Sequence, residues 1–99
     1  MSKPYYTDYV RHCLRFYVRN TDKPRFNSEV DKNNWYACQR AVERYAMDER
    51  AIIVYVYGMR DTLADNVYEI AKSHRIDQNI VWDMLKELEH RVARNRGLI

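Results

Sequence analysis

Glu69-Ile70-Ala71-Lys72-Ser73-His74-Arg75-Ile76-Asp77-Gln78-Asn79-Ile80-Val81 is the stretch whose reading decides the fold of this chain. Ile70 and Ala71 fall on the inner face of one predicted helix, Ile76 plugs a short turn, and Val81 is the first deep anchor of the next helix. Asp77 is well suited to cap that second helix, because its carboxylate can accept otherwise unpaired N–H groups of the first turn. Beyond it, Val81, Met84, Leu85, Leu88 and Val92 form one apolar stripe of an amphipathic helix that runs to Arg96. Two helices joined by a tight turn, a helix-turn-helix, therefore occupy the region from Asp61 to Gly97.

The Glu-Ile-Ala order, the following Ile, the capping residue and the Val five positions after that Ile resemble the DNA-binding helix-turn-helix of region 4 of bacterial sigma factors. Upstream, Asp48-Glu49-Arg50-Ala51-Ile52-Ile53 to Tyr57-Gly58 is similar to the helix that precedes the motif in that family. The resemblance spans roughly residues 48–99. It implies binding to double-stranded DNA and, if it extends to partners, contact with RNA polymerase at or near promoters. The family usually has Leu-Gly in the turn where this chain has His74-Arg75, and the segment Met59 to Tyr68 is about one helical turn longer. A glycine there supplies a positive φ that arginine adopts only at some cost.

Working outward, Pro4 suits the first turn of a helix that reaches Arg19, with Tyr6, Val10, Cys13, Leu14 and Tyr17 on one side. Arg11, Arg15 and Arg19 recur every four residues as a basic stripe on the other side. Asn20 to Asn27, with Pro24, reads as a loop. Ser28 with Asp31 has capping-box spacing and opens a helix in which Trp35, Cys38, Val42 and Tyr45 face the core. Asp48 is the expected cap of a third helix ending at Gly58. The apolar run Ala51 to Tyr57 makes that helix central and nearly fully buried, since a lone strand would have no pairing partner. Thr62 with Asp65 opens the fourth helix, and Asp61, Asp65 and Glu69 form an acidic ridge that is expected to pair locally with the basic stripe or to cap its own helix, the alternative being a docking surface for a basic partner.

These readings give an all-α, small five-helix domain, with helices near residues 4–19, 29–46, 48–57, 62–73 and 78–96. Residues 1–99 form a single helical domain, divided into an N-terminal helical pair over 1–47 and a helix-turn-helix part over 48–99. Ninety-nine residues suit one core and leave no room for the separate promoter-melting domain of a complete sigma factor. A composition of 46% hydrophobic and 31% charged residues with only two Gly and two Pro argues against disorder and against a turn-rich β fold. No apolar run is long enough to cross a membrane and the start is not a signal peptide, so a cytoplasmic protein is expected. Cys13 and Cys38 are expected to be reduced, buried small hydrophobes, and no metal is expected because neither has a second ligand at suitable spacing.

Function is expected at the second helix of the motif. Gln78 and Asn79 can pair with adenine edges in the major groove, Lys86 can reach guanine or phosphate, and Trp82 can meet a thymine methyl or pack at a helix junction. Arg75, Arg91, Arg94 and the stripe of Arg11, Arg15 and Arg19 are the candidate phosphate contacts. Charge runs partly against this: residues 1–40 carry eight Lys and Arg against four acids, whereas residues 58–99 carry seven of each. Asp83 and Glu87 on the reading helix add to that, and the nine tyrosines suit protein interfaces. The alternative is therefore a helical protein-binding module, an inhibitor or adaptor of phage or mobile-element type, whose helix-turn-helix scaffold no longer reads DNA. Neither a Gly-rich phosphate loop nor a nucleophile with its base is present, so neither an enzyme nor a cofactor is expected. The sequence leaves the target site, the sign of regulation and the choice of monomer or dimer open.

Overall fold

Ser28, Thr62 and Asp77 each accept a backbone N–H two or three residues ahead of them, and a helix starts behind each one. A computed structural model describes residues 3–22 and 24–99. The described residues form five helices and no strand: α1 (Thr7–Val18), α2 (Glu29–Val42), α3 (Met47–Gly58), α4 (Leu63–His74) and α5 (Gln78–Asn95). Met1, Ser2 and Lys23 lie outside the described residues, so the chain start and the expected loop over 20–27 are described only in part.

The expected core is present. Val10, Cys13, Leu14 and Tyr17 of α1, Trp35, Cys38 and Val42 of α2, Val67, Ile70 and Ala71 of α4, and Val81, Leu85, Leu88 and Val92 of α5 are all buried. Met84 of the expected stripe is only partly buried. Cys13 and Cys38 are free. Burial pushes both thiols up, Cys13 to about 11, so at neutral pH they stay uncharged and pack as apolar groups. α5 packs on α1, α2 and α4, while α3 reaches the rest through α1 and α4.

Several boundaries differ from those read in the sequence. α1 begins at Thr7 rather than Pro4, because the first turn closes through a Thr7 N–H to Pro4 carbonyl bond of 3.1 Å. The first α-helical bond, from Val10 N–H to the Tyr6 carbonyl, follows at 3.0 Å. α2 ends at Val42 rather than Ala46, since Arg44 and Tyr45 bond three residues back and tighten the chain out of the helix. Arg50 then donates to the Glu43 and Tyr45 carbonyls, satisfying acceptors that the helix end leaves open. Asp48 is not the cap of α3. Ala46 takes that position in extended backbone, and the Glu49 carboxylate accepts the Ala46 N–H at 3.0 Å. Nor is α3 buried all round: Ile52, Ile53, Val56 and Tyr57 face inward, but Met47 is 83% exposed and Val54 and Met59 remain open.

Glu89 is the polar feature that joins the helices. It is 5% exposed, yet its Oε2 accepts from Arg11 Nε at 2.9 Å and from the Tyr57 hydroxyl at 2.6 Å. One carboxylate of α5 is thus bonded to α1 and α3. Burial and the neighbouring carboxylate hold the Tyr57 hydroxyl well above its ordinary range, so it remains a donor. A second knot lies at Asn34, which exchanges hydrogen bonds with Tyr9 and accepts from Arg96 Nε at 2.5 Å. Asn66 of α4 donates to the Val56 carbonyl at 2.9 Å and fixes the end of α3.

The Glu89 knot is asymmetric in its exposure, with the Arg11 side chain 24% exposed against 6% for Glu89. Arg11→Met strands a buried carboxylate and is expected to cost roughly 3–5 kcal/mol in urea unfolding. Glu89→Gln keeps an acceptor for Tyr57 and frees an arginine that can turn to water, so it should cost clearly less. Arg15→Met, on the same helix and exposed, should stay within about 0.5 kcal/mol. Equal losses for Arg11→Met and Arg15→Met would contradict the account.

Candidate nucleic-acid interface

The turn between α4 and α5 spans Arg75, Ile76 and Asp77. Arg75 sits in the left-handed region at φ 55° and ψ 44° and is the one positive-φ residue other than glycine among the described residues. Its N–H bonds the Lys72 carbonyl at 3.3 Å, and the Ile76 N–H bonds the Ala71 carbonyl at 3.0 Å. That pair of bonds is a Schellman ending, which normally calls for glycine at the left-handed position. Arginine holds it here because Ile76 packs against the core beyond the turn while the Arg75 side chain remains in solvent. Asp77 then returns to extended backbone, and its Oδ1 accepts the Asn79 N–H at 2.7 Å.

This geometry leaves a surface cleft of about 530 Å³ beside the turn, lined by Tyr68, Ala71, Lys72, Ile76, Asp77, Gln78 and Asn79. Gln78 and Asn79 stand exposed on its rim in the first turn of α5. Across from them Lys72 Nζ lies 5.9 Å from the centre of the Tyr68 ring, within cation–π range. Tyr68 and Lys72 were not among the candidates read in the sequence. Their four-residue spacing on the outer face of α4 was the available signal, but it resembles any solvated helix face.

The remaining candidates are dispersed. Lys86 is exposed two turns further along α5 and borders a smaller cleft with Pro4, Tyr6 and His90. Trp82 is half-buried and packs against the core, which limits it to an edge contact. Arg11 is no free phosphate ligand, because its charge is engaged by Glu89 inside the fold. The basic stripe is thereby reduced to the exposed Arg15 and Arg19. Val18 of the same helix end lies against Gly58, which places the Arg19 end of α1 by the end of α3, at the opposite end of α4 from Gln78.

Arg91 and Arg94 are separated from Asn79 by about 18 and 22 Å along the α5 axis, from the helical rise. The acidic ridge does not pair with the basic stripe either. Among the described residues the ion pairs are Lys3–Asp8, Arg11–Glu89 and Glu87–Arg91, and Asp61, Asp65 and Glu69 stay exposed outside them. Lys3 holds the Asp8 carboxyl below its ordinary range. No three His, Cys, Asp or Glu side chains among the described residues converge as metal ligands would, and no helix there is long and apolar enough to cross a membrane.

The turn makes its own stability test. Arg75→Gly removes the left-handed penalty of about 1–2 kcal/mol but adds backbone freedom to the unfolded chain, which offsets about 0.5–1 kcal/mol. Arg75→Gly should therefore leave stability unchanged or raise it by up to about 1.5 kcal/mol in thermal unfolding, and Arg75→Val should lower it. Clear destabilisation by Arg75→Gly would mean that the arginine side chain holds the turn. No family model, no curated protein and no solved structure matches the chain.

Proposed function

We propose that this chain is a small DNA-binding transcriptional regulator in which α4, the Arg75–Asp77 turn and α5 act as a helix-turn-helix that enters the major groove. The observation that carries the reading is the capped, exposed first turn of α5. Gln78 and Asn79, side chains able to pair bidentately with adenine, stand on the rim of an open cleft with Lys72 across it. Lys72 and Arg75 take over phosphate contact at this end, and Lys86 lies on the flank. Arg11, Arg91 and Arg94 drop out of the reading set, Arg11 because Glu89 neutralises it and the other two because of their distance along α5. The likeness to region 4 of sigma factors makes RNA polymerase the natural protein partner of such a regulator.

Two or three phosphate contacts imply that log K falls against log salt with a slope of about −2 to −3 on duplex DNA. In a selection from random duplexes, the unaltered chain is expected to enrich a short motif. A Gln78→Ala, Asn79→Ala double variant should lose about 1–3 kcal/mol of discrimination per base pair read while keeping its salt slope, and Lys72→Ala should lower the slope by about one. Unchanged enrichment in the double variant would refute base reading by these residues.

The protein-binding alternative is favoured by a different observation. The outer side of α3 carries an apolar groove of about 630 Å³ lined by Met47, Ala51, Val54, Tyr55 and Met59, with Arg50 at its edge. Exposed apolar patches of this kind mark protein contacts. Under that reading the domain is an inhibitor or adaptor, and no salt-sensitive duplex binding would be found at all.

A further inference from the structure

At the far end of α5 from the turn, α2 and α5 close around another cleft, of about 110 Å³, lined by Ala41, Arg44, Arg91, Arg94 and Asn95. Ala41, 1% exposed, is the apolar part of the lining, and Arg44, Arg91 and Arg94 are its cationic part. Asn95 Nδ2 donates to the Ala37 carbonyl at 3.0 Å, which fastens α5 to α2 and sets the width of the gap. Arg91 is oriented from behind. Its Nε lies 3.3 Å from Glu87 Oε1, and the Tyr45 hydroxyl donates to the same oxygen at 3.1 Å. A guanidinium held by its Nε edge keeps its two terminal nitrogens available. Arg94 Nη2 lies 3.4 Å from His90 Nε2, a neighbour that cannot neutralise it.

Among the described residues no carboxylate pairs with Arg44 or Arg94. Three positive groups against the single carboxylate of Glu87 leave a local excess of two charges. The carbonyl ends of α2 and α5 ease this crowding but do not discharge it. Guanidinium forks match phosphate oxygens in pairs, and a phosphomonoester carries about −1.5 to −2 near neutral pH, whereas a backbone diester carries only one charge.

We propose that the cleft between the ends of α2 and α5 binds a phosphomonoester dianion, held by Arg44, Arg91 and Arg94, with Glu87 and Tyr45 positioning Arg91. The site is independent of the DNA reading, since it lies at the other end of α5 and uses none of Gln78, Asn79 or Lys72. Its ligand is the terminal phosphate of either a free metabolite or a nucleic-acid end.

The test is a titration of the full chain with inorganic phosphate, followed by amide and arginine Nε–H resonances at ionic strength balanced with chloride. Saturable shifts are expected at Ala41, Arg44, Arg91 and Arg94. Arg44→Gln and Arg94→Gln, both changes of exposed side chains, should each weaken binding about tenfold or more. Lys32→Gln, an exposed change near the start of α2, should leave it unchanged. Linear shifts without saturation, or equal shifts at Arg15 and Arg19, would show an adventitious ion only and overturn the proposal, as would full affinity in the Arg44→Gln, Arg94→Gln double variant. Adenosine monophosphate and a 5′-phosphorylated dinucleotide then separate the two sources: tighter binding of either one at these same resonances supports the site and names its source. A duplex lacking terminal phosphates that moves them equally would overturn the monoester assignment.

Discussion

A single buried carboxylate fixes how three of the five helices meet. Glu89 lies among Leu88, Val92 and Ala93 on the inner side of α5, where an unpaired charge would be untenable, and it takes Arg11 from α1 and Tyr57 from α3. α3 reaches α5 chiefly through α1 and α4, so the Tyr57 bond is a direct tie between two elements that otherwise share few contacts. An apolar core can be satisfied by several rotations of neighbouring helices, whereas a hydrogen-bonded charge permits few. The Asn34 knot repeats the arrangement between α1, α2 and the end of α5.

With α5 fixed in rotation, the character of each of its ends follows. The inward direction set by Val81, Leu85, Leu88 and Glu89 leaves Asn79, Asp83 and Lys86 outward. The left-handed Arg75 then determines how α4 approaches and opens the cleft beside Gln78. The opposite end gathers arginines instead. The proposed base-reading end and the proposed phosphate pocket are thus the two termini of one rigid helix, and they separate the polar amide chemistry of Gln78 and Asn79 from the charge of Arg44, Arg91 and Arg94.

The parts of this organisation legible in the sequence are those set within a few residues. Caps at Ser28, Thr62 and Asp77 depend on hydrogen bonds spanning two or three positions, and the α5 stripe depends on helical period alone. Gln78 and Asn79 could be placed on an exposed first turn for the same reason. The partnership of Arg11 with Glu89 could not, because 78 residues separate them and an arginine in a regular basic stripe looks solvated. The apolar run of α3 has no period, so nothing in it distinguishes the buried Ile53 from the open Val54. Glu49 displaced Asp48 as the capping group because Ala46, two residues before the expected cap, takes the cap position, a choice governed by the tight exit from α2 and the Arg50 bonds across it. The arginine pocket joins α2 to α5 and is visible only once those helices are packed.

The most direct test of the central claim is to map backbone amide perturbations of the intact chain on adding a short duplex at low salt. Binding through the proposed helix-turn-helix predicts perturbations concentrated on Lys72 and on Arg75 to Asp83, with the exposed side of α3 from Met47 to Met59 unmoved. Perturbations centred on α3, or none anywhere at concentrations that saturate ordinary non-specific binding, would contradict the DNA-reading account.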